Sequence, residues 1–224
     1  MEAERIAPGD ERRHPPGGGR AWEESWYLDF VDGDGGLAGY IRLALRPGQG
    51  TAWFWAGVVG AGPTLVAVRD HEVPPPSGRG LEVRAPGLWT ELVCETPLEH
   101  WSVGMEAFGV ALDDPLEAWR QERGDPWALG LDVEWEADGR AQPLAGGYWQ
   151  PCMVHGDVLV GADRFQLDGS GLRLHVWGHA ARDPTGWAGG RLDDGTSFLV
   201  AEPEVECDVQ GLVRSASWAR ARRW

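Results

Sequence analysis

The 224 residues carry a formal net charge of −15 at pH 7, with 35 acidic side chains against 20 basic ones. Such a field repels phosphate backbones and anionic lipid, which argues against nucleic-acid and membrane-surface partners. No run approaches eighteen apolar residues and the first twenty lack an apolar signal core, so a soluble cytoplasmic protein without membrane insertion is expected.

The opening stretch, residues 1–21, mixes Glu, Arg, Pro and Gly and reads as a disordered lead-in. Strand signals start at Trp26–Phe30, followed by the turn Asp32–Gly36, and continue over Gly39–Leu45, Thr51–Val59, Thr64–Arg69, Leu81–Ala85, Leu88–Glu95 and Ser102–Leu112. Asp113-Asp114-Pro115 is a good helix start, and Leu116–Arg123 follows it with Gly124 as a stop, so one short helix is expected there. Leu129–Glu136 then alternates apolar and polar residues, as a half-buried strand does. Gly139–Gly147 is turn-rich and marks a domain boundary. Beyond it, Met153–Val160, Arg164–Leu167, Leu172–Trp177, Ser197–Ala201 and Glu204–Val209 read as further strands. The fold class is therefore all-β, antiparallel, with barrel or sandwich domains at 22–140 and 141–224.

The chemistry the residues allow is limited. There is no Lys, so Schiff-base and P-loop lysines are excluded. Cys94, Cys152 and Cys207 are isolated, form no CxxC pair and read as buried thiols. The nucleophile-elbow, zincin and dinucleotide signatures are absent, so no cofactor and no metal are expected. Fourteen tryptophans are the conspicuous feature. Some will be core, but Trp53 and Trp55 on one strand, with Trp26, Trp89, Trp101, Trp149 and Trp177 on others, are expected to line an apolar cavity.

Polar residues gather around Glu23–Asp29, Arg69–Glu72, Glu95–Trp101 and His175–Asp183. His71 and His100 suit structural hydrogen bonding at strand ends, and His155 beside Gly156 reads as an exposed residue opening a strand. His175 differs, because strand alternation puts it on one face with Arg173 and Trp177. A histidine beside an indole in an apolar cavity suits proton transfer, its pKa lying near neutrality.

Three segments together carry a resemblance: Glu24-Ser25-Trp26-Tyr27-x-Asp29-Phe30, Glu95-Thr96-Pro97-Leu98-Glu99-His100-Trp101 and Gly171-x-Arg173-x-His175-x-Trp177-Gly178. They resemble the lipocalin-like superfamily of carotenoid hydratases (hydroxyneurosporene synthases) and AttH-type proteins, in particular its actinobacterial branch, over roughly Trp22–Val213. The resemblance implies two consecutive lipocalin-like barrels with a hydrophobic pocket. It also implies His175 and Trp177 as a catalytic pair acting on polyenes or isoprenoids. The pattern's later Tyr and Asp have no counterpart after Trp177. The Trp-Gly element runs into His179-Ala180-Ala181 before Arg182-Asp183, and a shortened second barrel is expected. An open second barrel would expose strand edges, which favours a homodimer.

The expected function is a cofactor-independent hydratase or cyclase acting on an unsaturated hydrophobic small molecule, isoprenoid, polyene or polyketide. His175 and Trp177 would be catalytic, with Asp29 or His100 as hydrogen-bond donors, and Trp26, Trp53, Trp55, Trp89, Trp101, Glu95 and Arg173 would hold the substrate. A non-catalytic carrier of a lipophilic ligand and a degenerate paralogue are the alternatives. A His175 turned away from the cavity would favour the carrier.

Overall fold

A computed structural model describes residues 6–63, 65–114, 117–118, 123–144, 146–179, 186–192, 197–201 and 213–220, with side chains through Gly178. The first unit ends at His179. It contains β1 (Trp22–Asp32), β2 (Ala38–Arg46), β3 (Thr51–Val59), β4 (Leu65–Val73), β5 (Leu81–Ala85), β6 (Leu88–Thr96), β7 (His100–Leu112), β8 (Asp125–Ala137), β9 (Gln142–Leu144), β10 (Gly147–Val160) and β11 (Asp163–His179).

These strands form one antiparallel sheet in the order β4-β3-β2-β1-β11-β10-β8-β7-β6-β5, with β9 beside β10. A further pairing, Leu65 to Leu112 through Ala67 to Val110, joins β4 to β7. It closes β1 to β4, β7, β8, β10 and β11 into a ring. The long β7 makes this possible by giving its first half to β6 and its last residues to β4. A closed ring is how an antiparallel sheet removes its edges, and eight strands leave an interior that side chains can fill.

Alternation decides what fills it. Trp26, Leu28 and Phe30 on β1, Ile41 and Leu43 on β2, Phe54 and Val58 on β3, and Val133 and Trp135 on β8 all point inward and are at most 2 % exposed. The Trp135 indole reaches across the interior to donate its Nε1–H to the Asp29 carbonyl at 2.8 Å.

Three expectations need correcting. The boundary at 140/141 falls inside the closed sheet, because β10 pairs with β8 and β11 pairs with β1; the chain divides instead between His179 and Ala180. Residues 6–21 are a structured strap and not a disordered lead-in. A 3-10 turn at Pro8–Glu11 leads Glu11 into burial at 3 % exposure, because Arg173 supplies a counter-charge that composition does not reveal. Arg164–Leu167 and Leu172–Trp177 are one strand, β11. Gly169 and Gly171 do not break it but let it approach β1: a Cβ there would lie 2.0 Å from the Val31 carbonyl and 1.9 Å from that of Asp29.

The expected helix lies outside the described residues apart from Glu117, Ala118 and Arg123, and Glu204–Val209 and Cys207 also lie outside them. Cys94 and Cys152 are free thiols, which burial pushes up to about 11 and about 12 respectively.

The second unit, from Ala180, contains β12 (Gly186–Leu192), β13 (Ser197–Ala201) and β14 (Val213–Arg220), an antiparallel three-stranded sheet ordered β13-β12-β14. No helix among the described residues is long and apolar enough to cross a membrane.

Candidate functional site

Register places the candidate residues on two faces. In an antiparallel pair, residues directly opposite share a face. Trp26 lies opposite His175, Glu24 opposite Trp177 and Leu28 opposite Arg173. Across the other edge of β11, Tyr148 lies opposite His175 and Gln150 opposite Arg173. Glu24, Trp26, Tyr148, Gln150, Arg173, His175 and Trp177 therefore all face the interior at one end of the barrel, joined by Trp101 of β7.

Two linked polar clusters result. In the first, one Glu24 oxygen lies 3.0 Å from His175 Nε2 and 2.8 Å from His14 Nδ1, and the His14 backbone N–H donates to the same carboxylate at 2.9 Å. With Glu24 accepting, His175 carries its proton on Nε2. Its Nδ1 is buried and has no hydrogen-bond partner among the described residues. Aromatic faces enclose the ring: Trp26 stacks at 4.5 Å between centroids, Trp177 tilts at 4.9 Å and Tyr148 stands edge-on at 5.8 Å. His14 in turn stacks on Trp177 at 3.8 Å.

The second cluster surrounds Glu11. Arg173 grips its carboxylate with two nitrogens at 2.8 and 3.1 Å, Trp101 Nε1–H donates at 2.8 Å, and the Leu98 N–H donates at 2.9 Å. Gln150 and Tyr148 accept from the guanidinium. Burial pushes the Glu11 carboxyl upward, but the Arg173 hydrogen bonds and charge outweigh it and hold the group below its ordinary value.

Burial lowers the His175 pKa, with Glu24 opposing only part of the effect. The unfolded chain takes up a proton at His175 below about pH 6.5, whereas the folded chain resists it. Stability should therefore fall as the pH drops from 6.5 toward the folded pKa. The lowered Glu11 value adds a second loss below its ordinary 4.5. Urea midpoints between pH 8 and 4 should show both losses, and His175→Asn should flatten only the upper one.

The other candidates lie on the outer face. Trp53 and Trp55 flank the inward Phe54 and stack on each other outside, where His71 meets one tilted and the other edge-on, beneath the guanidinium groups of Arg46 and Arg42. Trp89 donates to Glu82, and Glu95 accepts from Ser102. His100 Nε2 lies 3.3 Å from Glu134 on the outer face of β7 and β8, where His155 meets the same carboxylate. Asp29 accepts from the Leu172 N–H at 2.8 Å and fills a gap in the β1–β11 ladder. These side chains do not line one cavity with His175, because strand alternation turns each of them out. Trp26, Trp101, Arg173, His175 and Trp177 do converge.

Glu24, Tyr148 and Gln150 were missed, although their alternation with Trp26 and Cys152 was readable. Glu11 and His14 had no such signal. The His14, Glu24 and His175 ligand atoms lie within 4.8 Å of one another, as do those of Glu134, Glu136 and His155. Both sets have donor types that divalent ions accept, but in the first the short contacts share protons with Glu24.

Several comparisons bear on this arrangement. A protein of Nitrosomonas europaea assigned as AttH has a similar solved structure, with a TM-score of 0.55 and 15% identity over 89% of this chain and 65% of that one. CghA (TM-score 0.42, 12% identity) and CghA with Sch210972 (0.41, 13%) are more distant, each covering 81% of this chain and 55% of theirs. This chain thus spans less than two-thirds of the length of these structures. The AttH likeness is one of fold. No curated protein matches the sequence. The family model described as Domain of unknown function (DUF7064) matches residues 7–214, and the chain belongs to that family.

Proposed function

We propose that the protein is a cofactor-independent enzyme that moves a proton on an unsaturated, hydrophobic small molecule, in the manner of a hydratase or cyclase. The observation that carries this reading is the Glu24–His175 dyad. Glu24 fixes the imidazole as the Nε2–H tautomer, and Nδ1 is left as a buried base walled by Trp26, Tyr148 and Trp177. A carboxylate behind an imidazole stabilises the imidazolium that forms when Nδ1 takes a proton. The indole faces can stabilise positive charge developing on the substrate. In isomerisation, Nδ1 takes a proton from one carbon and the resulting imidazolium returns it to another. In cyclisation or hydration, the imidazolium first gives its Nδ1 proton to the double bond, and the cation that results is discharged by loss of a proton to Nδ1, from carbon or from the water that has added. The resemblance to carotenoid hydratases favours an isoprenoid or polyene substrate, with Trp177 beside the reacting carbons.

The test is to incubate the purified chain with an apolar extract of its source organism in D₂O and weigh what is bound. A species that has gained deuterium, is heavier by one water, or is isomeric with its precursor supports the reading. His175→Ala should then abolish the change, and Glu24→Gln should slow it about 100-fold or more. For an isomerisation, which starts from neutral Nδ1, the rate should fall on the acid side below pH 6.5, following the lowered His175 value. A compound recovered unchanged would replace the reading with a carrier, which a barrel of this kind also supports.

A further inference from the structure

The Glu11 carboxylate sits in a receptor made by other parts of the chain. Its four donors come from β11, β7 and the loop between β6 and β7: two Arg173 nitrogens, the Trp101 indole N–H and the Leu98 backbone N–H. Gln150 and Tyr148 brace the guanidinium from β10. Both charged side chains are almost fully buried, at 4% for Arg173 and 1% for Glu11. This matches what bidentate, desolvated recognition of a carboxylate requires.

The segment that delivers Glu11 is weakly held otherwise. Among residues 6–20, Glu11 is the one buried residue. The remaining ties are polar or aromatic: Arg13 to the Gly78 and Pro76 carbonyls, His14 to Glu24, and the His14 ring on Trp177. A segment that buries no apolar side chain is retained chiefly through its Glu11 contact, so a competing carboxylate that replaces Glu11 on Arg173 can displace it. When it lifts, Arg173 stays on a central strand as a buried cation in need of an anion. The surfaces uncovered beside it are aromatic, because His14 leaves the Trp177 ring. Arg173 Nε, His175 Nδ1 and Trp26 Nε1 are all buried at this end without partners among the described residues.

We infer that Arg173, Trp101 and the Leu98 N–H form a carboxylate-binding subsite, that Glu11 occupies it as an internal stand-in, and that the ligand it serves is an apolar carboxylic acid admitted when the 7–19 strap lifts. The inference deepens the proposed function and rests on it only for the reaction. Arg173 and His175 are two residues apart on one face of β11, roughly 7 Å along the strand. An acid whose carboxylate lies on Arg173 would thus bring carbons a few bonds along its chain against Nδ1. The strap acts as both lid and competitor.

Binding can be read without turnover by using dodecanoate, which has no double bond to react. Dodecanol carries the same tail without the charge, and acetate the charge without the tail. Each is titrated by calorimetry into the full chain, Glu11→Gln, Arg173→Gln and Trp101→Phe, with folding checked by circular dichroism. Dodecanoate should bind at least 10-fold tighter to Glu11→Gln than to the parent chain, the size expected for freeing one charged contact. Dodecanol should not change, and acetate should bind far more weakly than dodecanoate. Arg173→Gln should remove the preference for acid over alcohol, and Trp101→Phe should weaken acid binding several-fold if Arg173→Gln does not fold. Dodecanoate should also speed tryptic cleavage after Arg12 and Arg13 as the strap lifts. A folded Glu11→Gln that binds dodecanoate no tighter than the parent, or that tightens equally for dodecanol, overturns the inference and leaves the Glu11–Arg173 pair purely structural. Dodecanoate binding without deuterium uptake from the extract would uphold the subsite and count against the enzyme.

Discussion

Replacing Glu11 with Ala should lower the free energy of unfolding by about 3 kcal/mol, read from urea denaturation followed by circular dichroism. The loss comes from the partner left behind: Arg173 becomes a buried guanidinium with only the neutral Gln150 and Tyr148 to accept from it. Breaking a buried pair at one end costs about 3–5 kcal/mol, and the lower figure applies because a loosened strap lets water reach the charge. Arg173→Met should cost a similar amount, now through an unpaired Glu11 carboxylate. The double variant Glu11→Ala/Arg173→Met should cost much less than the two losses combined, since neither charge is then stranded. A double-mutant coupling near zero would mean that the pair is well hydrated and contributes little.

Trp135→Ala should be at least as damaging, at about 3–5 kcal/mol. The side chain is fully buried, touches Phe30 across the interior and supplies the indole N–H that satisfies the Asp29 carbonyl. Truncation leaves a void and an unpaired carbonyl at a point where the β1–β11 ladder already relies on the Asp29 side chain. Trp135→Phe separates the two effects. It keeps most of the packing and loses the hydrogen bond, so about 1–2 kcal/mol should be lost. Equal losses in the two variants would assign the whole effect to the hydrogen bond.

The strand content could be read from the sequence because period-2 alternation and Gly or Pro punctuation are local signals. Thr51–Val59 and Leu81–Ala85 match their observed limits. The reading failed where a local signal has a distant cause. Arg164–Leu167 and Leu172–Trp177 read as separate strands, yet Gly169 and Gly171 between them are glycine because the β1 carbonyls of Val31 and Asp29 leave no room for a Cβ. The boundary at 140/141 failed for the same reason, since pairing of β1 with β11 is invisible to composition. His175, Arg173 and Trp177 were found together because one strand carries all three. Asp29, His100, Trp53 and Trp55 were misplaced because their chemistry was weighed before the face on which they fall. Glu11 and His14 lay beyond any periodic argument: a Pro- and Gly-rich strap earns its place through partners as far as 162 positions away.

The β1–β11 ladder also sets the order of events during synthesis. Glu24 and His175 lie 151 positions apart, so the ring cannot close until nearly the whole first unit has left the ribosome. At roughly 5–20 residues per second, β1 waits about 8–30 s with one edge unpaired. During that wait a tryptophan-bearing strand is available to pair with another nascent chain. Once β11 arrives, the remaining search is dominated by long-range contacts, which places folding in the slow, millisecond-to-second range. Yield of the folded protein should therefore depend on how fast it is made: slower translation at low temperature lengthens the exposure, and chaperones that shield strand edges should have their largest effect before residue 163 is reached.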